Sequence, residues 1–79
     1  MNKQQKDRSL EIKIGAMLRE IRKFQDRKQY DISWEMNRHG SLASKMERGK
    51  CFTLVNFLAI CKALRVKPTK ILKEVDPEL

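Results

Sequence analysis

The sequence predicts an all-α fold: five short helices around one small core. Two observations carry that reading. Apolar residues recur at spacings of three and four, the period of a helix face, and nowhere alternate as a half-buried strand would. The breaks between these stretches are helix punctuation, with Ser, Thr or Pro ahead of an apolar run and Asn or Gly behind it. Seventy-nine residues make one domain, and a core this small makes pairing with a second copy a natural way to bury more surface.

Taken in order, residues 1–8 are polar and expected to form a flexible arm. Ser9 is a plausible N-cap. Leu10, Ile14, Met17, Leu18 and Ile21 then form a one-sided apolar stripe, opposed by Lys13, Arg19, Glu20 and Lys23; Phe24 would close the last turn. Residues 25–28 are a polar connector. A second helix is expected from Gln29 to about Met36, with Ile32 and Met36 inward, and Asn37 suits a left-handed turn. A third is expected to start at His39 or Gly40, or later with Ser41 as its N-cap, and to run to Glu47 before Gly49 ends it. Its inward residues would be Ala43 and Met46; Ser41, Leu42, Ser44 and Lys45 would face outward. Thr53 looks like the cap of a fourth helix, Leu54 to Leu64, with Leu54, Phe57, Leu58, Cys61 and Leu64 inward and Val55, Ala59 and Ile60 widening that face. Pro68 suits the first position of a fifth helix, in which Ile71 and Leu72 point inward and Val75 follows. The domain is thus expected over 9–75, with a helix-turn-helix motif at about 29–48 and a tail at 76–79.

Charge is unevenly spread. The chain carries +8 in total. Residues 36–73 hold nine basic side chains and one acid, Glu47, whereas the last six residues hold three acids. A basic half-domain suggests a polyanion partner, with a lysine-rich solvated surface as the plain alternative. No apolar run approaches a membrane span and no secretory pattern opens the sequence, so a cytoplasmic protein is expected. Cys51 and Cys61 lack paired metal-site spacing and fit reduced thiols. One His, no Gly-rich phosphate loop and no recognisable triad or carboxylate pair argue against an enzyme, a cofactor or a metal.

The outward side of the third helix is short-chained, polar and basic, as a surface that enters a DNA groove must be. Lys45 is a candidate donor to a guanine edge or a phosphate, or else a solvated lysine. Ser41 and Ser44 could reach bases or phosphates, or simply cap and solvate. Leu42 could touch a thymine methyl or pack on the second helix. His39 is a candidate phosphate donor or a turn residue. Arg48 and Lys50 are candidate phosphate anchors. Tyr30 and Trp34, spaced i, i+4 off the Ile32/Met36 face, offer either a partner-binding patch or cover for the core edge. Glu47, the lone acid of its region and set among core positions, needs a partner.

The residues IGAMLREIRK (14–23), Gln29, Ile32, SKMERGK (44–50), LAICKALRV (58–66) and IL (71–72), in this order and spacing, resemble the helix-turn-helix domains of the Cro/repressor type, the XRE family. The resemblance covers about Ile14 to Leu72 and implies a lambda-repressor-like fold. It implies that Gln29 opens the second helix and contacts a DNA phosphate. Gly40, Ser41, Ser44 and Lys45 would occupy outward positions of the recognition helix. Arg22 and Glu47 would form a buried ion pair, and Arg48 and Lys50 would touch the backbone beyond that helix. The sequence departs from the family at Arg27, usually apolar; at Lys28 and His39, often capping Ser or Thr; and at Asn37, Arg38 and Gly40. Tyr30 could supply the missing apolar contact. The expected function is a sequence-specific transcriptional regulator that binds double-stranded DNA as a homodimer. Restriction-modification controllers, phage-type repressors and antitoxins all have this size. The alternative is an antitoxin-like interaction module on the same fold, without base reading. A toxin or polymerase is the kind of protein partner such systems imply.

Overall fold

The computed structural model describes residues 8–78. It contains α1 (Ser9–Phe24), α2 (Gln29–Glu35), α3 (Leu42–Glu47), α4 (Leu54–Leu64) and α5 (Pro68–Val75), with no strand among the described residues. Most of the proposed arm, residues 1–7, and Leu79 of the tail lie outside the described residues. Arg8, assigned above to the arm, belongs to the body. It occupies the N-cap position of α1, and its guanidinium donates to the Gly49 carbonyl at 3.0 Å. Ser9 is therefore the first helical residue rather than the cap.

Helix α3 packs against both α1 and α2, while α5 folds back on α1 and α4. Leu18, Ile32, Met46, Ile60, Leu64 and Ile71 fill the centre. Met17, Ile21, Leu42, Leu72 and Val75 pack around them. Helices α1 to α4 end alike. In each, an N–H just past the helix reaches back five residues, from Arg27 to Arg22, Arg38 to Ser33, Lys50 to Lys45 and Val66 to Cys61. The residue before that donor is left-handed: Asp26, Asn37, Gly49 and Arg65, with φ of 58°, 60°, 86° and 60°. This is the Schellman ending, which satisfies the last carbonyls of a helix. Gly49 and Asn37 were legible as left-handed stops; Asp26 and Arg65 take the same conformation outside the sequence expectation, and Arg65 does so without help from its side-chain type.

Several expected inward residues are not inward. On α4 the buried face is Phe57, Ile60, Cys61, Ala63 and Leu64. Leu54, Val55 and Leu58, expected to face or widen the core, stay 71%, 62% and 47% exposed. An apolar helix with almost no polar face gives periodicity little purchase, so the sequence could not say which arc is buried. Leu10 is also half exposed, and Phe24, although it ends α1, projects into solvent. Thr53 does cap α4, accepting from the Asn56 N–H at 3.0 Å, and Pro68 opens α5.

At Gly15, α1 comes close against the backbone of α3. A Cβ there would press on the Met46 carbonyl oxygen and sit 2.8 Å from that of Glu47. Backbone carbonyls cannot swing aside as a side chain would. Gly15→Ala is expected to lower stability by about 1–3 kcal/mol, overpacking outweighing alanine's better helix propensity; a denaturant melt measures this. The two thiols also separate. Cys51 is exposed and Cys61 buried, and burial pushes the Cys61 thiol up from 9.0 to about 11. One thiol per chain should react with a disulfide reagent in the native state and two after unfolding. Because the unfolded thiol ionises first, stability should fall as pH rises from about 9 towards 11.

Candidate nucleic-acid interface

The site is assembled around a buried carboxylate. Glu47, the last residue of α3, has a side chain only 3% exposed. Arg22 of α1 donates to it twice, from Nε at 2.6 Å and from Nη2 at 3.2 Å. Gln29, first residue of α2, donates to the same carboxylate at 2.8 Å. The remaining Arg22 nitrogen is used as well, donating to the Arg27 carbonyl at 2.7 Å. One carboxylate therefore holds the ends of three helices together, and the charge it buries is matched by a forked guanidinium.

The angle between α2 and α3 is set by a residue that sequence reasoning passed over. Ser33 is fully buried on α2, and its hydroxyl accepts the Ala43 N–H at 2.8 Å. One donor in the first turn of α3, the Ala43 N–H, is thus served from the neighbouring helix. Ser41 stands at the N-cap position but its side chain caps nothing; its hydroxyl lies 3.2 Å from His39 Nδ1. Helix α3 accordingly begins at Leu42, and His39 and Gly40 precede it in the turn. Gly40 does not lie on the recognition helix. Leu42 is half-buried and packs on the core, so the outward placement expected of it is corrected.

The other departures from the family pattern also resolve. Arg27 replaces an apolar residue with polar ties: it donates to the Ala63 carbonyl at 2.8 Å and its Nη2 stands 2.6 Å from Glu35 in a close ion pair. Gln25 donates to the Leu64 carbonyl at 2.7 Å, so the connector covers the end of α4. Lys28 cannot accept as a cap would, but its backbone N–H reaches Asp31 at 3.4 Å, half of a capping box. Tyr30 and Trp34 fill no gap. They are 64% and 73% exposed, which rules out Trp34 as cover for the core edge.

What α3 presents is a ridge. Lys45 and Arg48 form its crest, both exposed, with Ser44 half-buried beside them and within 3.3 Å of the Arg48 guanidinium. A cleft runs along each flank. One, about 540 Å³, is lined by Arg19, Lys28, Gln29, Ser44 and Arg48 above the Arg22–Glu47 pair. The other, about 370 Å³, is lined by Arg38, His39, Ser41, Lys45 and Cys51 among others. Arg19 and Lys28 were not expected at the site. They sit on α1 and the connector, and only the close packing of α1 on α3 brings them beside the ridge. Lys50 is exposed just past α3. Gln29 is half-buried and already committed on one side to Glu47, so its second amide hydrogen is the one left for an outside acceptor.

This arrangement has a counterpart among solved structures. The restriction-modification controller protein C.AhdI from Aeromonas hydrophila superposes with a TM-score of 0.70 at 30% sequence identity, over 76% of this chain and 92% of that one. The chain belongs to the Cro/repressor-type (XRE) family of helix-turn-helix DNA-binding regulators. No family model and no curated protein matches it. In this XRE domain, no described helix is long and apolar enough to cross a membrane.

The buried carboxylate can be tested directly. Glu47→Ala would leave Arg22 facing the interior without its partner, at an expected cost of roughly 3–5 kcal/mol. A thermal melt within a degree of the parent would refute the role given to the pair.

Proposed function

We propose that this domain is a sequence-specific transcriptional regulator that binds an operator as a homodimer and reads bases with α3 in the major groove. One observation carries the reading: α3 stands as a basic-crested ridge between two basic clefts. A helix lying in the major groove has a phosphate backbone along each side, so cations on both flanks and short polar side chains on the helix are what that position requires. Lys45 is the reader, with Ser44 and Ser41 beside it. Arg48, Lys50, Gln29 and His39 hold phosphates, and Arg19 and Lys28 add to the Gln29 side. The acid that would oppose them, Glu47, is turned inward and paired.

One such helix contacts few bases. Two copies on half-sites about one helical turn apart supply the remaining discrimination. Similarity to a restriction-modification controller favours that kind of role, exerted through promoter occupancy. A second reading rests on the exposed Tyr30/Trp34 pair: an exposed aromatic pair of this kind suits a protein partner, which would bind α2 beside the DNA surface.

Selection from a random DNA pool is expected to return a two-fold related sequence; equal recovery of all sequences would sink the reading. On the selected duplex, Lys45→Ala should cost about 1–3 kcal/mol and relax preference at one base position. Lys50→Ala should instead weaken all duplexes alike and reduce the slope of log affinity against log salt by about one.

A further inference from the structure

The turn into α3 holds a hydrogen-bond arrangement that neither the fold nor the DNA surface has so far called on. Ser41, Ser44, Lys45 and Arg48 are spaced i, i+3, i+4 and i+7, so they share the outward face of the ridge. Ser41 is half-buried at its leading end and lines the cleft that also contains Arg38, His39 and Lys45. Its backbone N–H donates to His39 Nδ1 at 3.4 Å, and its hydroxyl oxygen lies 3.2 Å from the same nitrogen. A backbone N–H can only donate, so Nδ1 is the bare nitrogen of the ring and Nε2 carries the proton. The direction of the second contact follows. Facing a bare nitrogen, the Ser41 hydroxyl has to donate, since turning its proton away would set two lone pairs against each other at 3.2 Å. Its one proton is thereby used inside the protein, and its oxygen offers the cleft lone pairs alone.

We propose that Ser41 is an acceptor-only reader of the operator, contacting an exocyclic amine of a base, and that His39 is the positioning residue that makes it so; the proposal rests on the base-reading function above. Chemistry selects the contact. Phosphate oxygens only accept. So do guanine O6 and N7, adenine N7 and thymine O4 on the major-groove edges. The donors offered there are the N6 amine of adenine and the N4 amine of cytosine. An oxygen with no proton to give has nothing to offer a phosphate and is matched to one of those amines.

The neighbours supply the opposite polarity. Lys45, one turn on, has donors only and suits guanine O6 and N7. Ser44 accepts from the Arg48 guanidinium at 3.3 Å, which leaves its own proton for an outside acceptor. His39 keeps its Nε2–H for a phosphate. Ser41 thus adds an amine contact to a ridge whose other polar side chains donate.

The test is binding of the full chain to the duplex recovered from a random pool, with base analogues placed in it. Ser41→Ala identifies the base pair, as the position where preference relaxes. There the amine-bearing base is exchanged for its analogue without the amine, purine for adenine or 2-pyrimidinone for cytosine. The parent is expected to lose about three- to tenfold in affinity. Ser41→Ala should lose nothing further, which separates the contact from any effect of the analogue on the duplex itself. A 7-deaza purine at the same pair, which deletes the N7 acceptor, should leave the parent unchanged. Two variants isolate the positioning role. Asparagine carries an oxygen where histidine carries Nδ1, so His39→Asn should keep the amine discrimination while weakening all duplexes alike. Glutamine places an N–H near Nε2 and no acceptor at the δ position, so His39→Gln should keep overall affinity and lose the discrimination. A parent indifferent to amine removal, or sensitive to the 7-deaza purine instead, overturns the reader. His39→Gln discriminating like the parent overturns the positioning role. A pool with no preferred sequence removes the base-reading function and this contact with it; a preferred sequence that Lys45→Ala relaxes and Ser41→Ala does not removes this contact alone.

Discussion

The ends of α1, α2 and α3 are held together by one buried carboxylate. Glu47 accepts from Arg22 on α1 and Gln29 on α2 while itself closing α3. Burial of a charge is costly unless it is paired and its lone pairs are filled. Here three donors fill them, and each donor comes from a helix whose position matters to the ridge. Gln29 is both structural and at the surface: its amide donates to Glu47, and the half-buried side chain also lines the cleft beside α3.

Two further constraints complete the mounting of α3. Gly15 lets α1 lie directly on the α3 backbone, which draws Arg19 to the edge of the ridge. Ser33 holds the first turn of α3 from α2. A six-residue helix has little stability of its own, because nucleation costs more than so few hydrogen bonds return. Its direction is therefore decided almost entirely by neighbours: a carboxylate pair at its end, a hydroxyl at its start and a glycine contact along its side.

The split between charged and uncharged surface has the same logic at larger scale. Cations collect on both flanks of α3, and the single acid of that region is internal. Leu54, Val55 and Leu58 leave an apolar, exposed stripe on α4 instead.

The sequence by itself determined the class and order of the elements. Spacing in α1, the Asn37 turn, the Thr53 cap and Pro68 are local signals, each acting within a few residues, and each was readable. So was the need of Glu47 for a partner, since a lone acid among core positions has few alternatives. The tertiary structure decided what depended on contacts distant in sequence. Ser33 looked like any polar helix residue until Ala43 lay against it. Leu42 turned inward and Gly40 fell outside α3: the helix starts just after Ser41, as one reading of the sequence allowed, but the donor at its first turn is met by Ser33 of α2 and not by the Ser41 hydroxyl. Leu54, Val55 and Leu58 were left outside because a nearly all-apolar helix does not announce which side its neighbours will cover. Local chemistry sets where helices start and stop; only packing chooses the face each one shows.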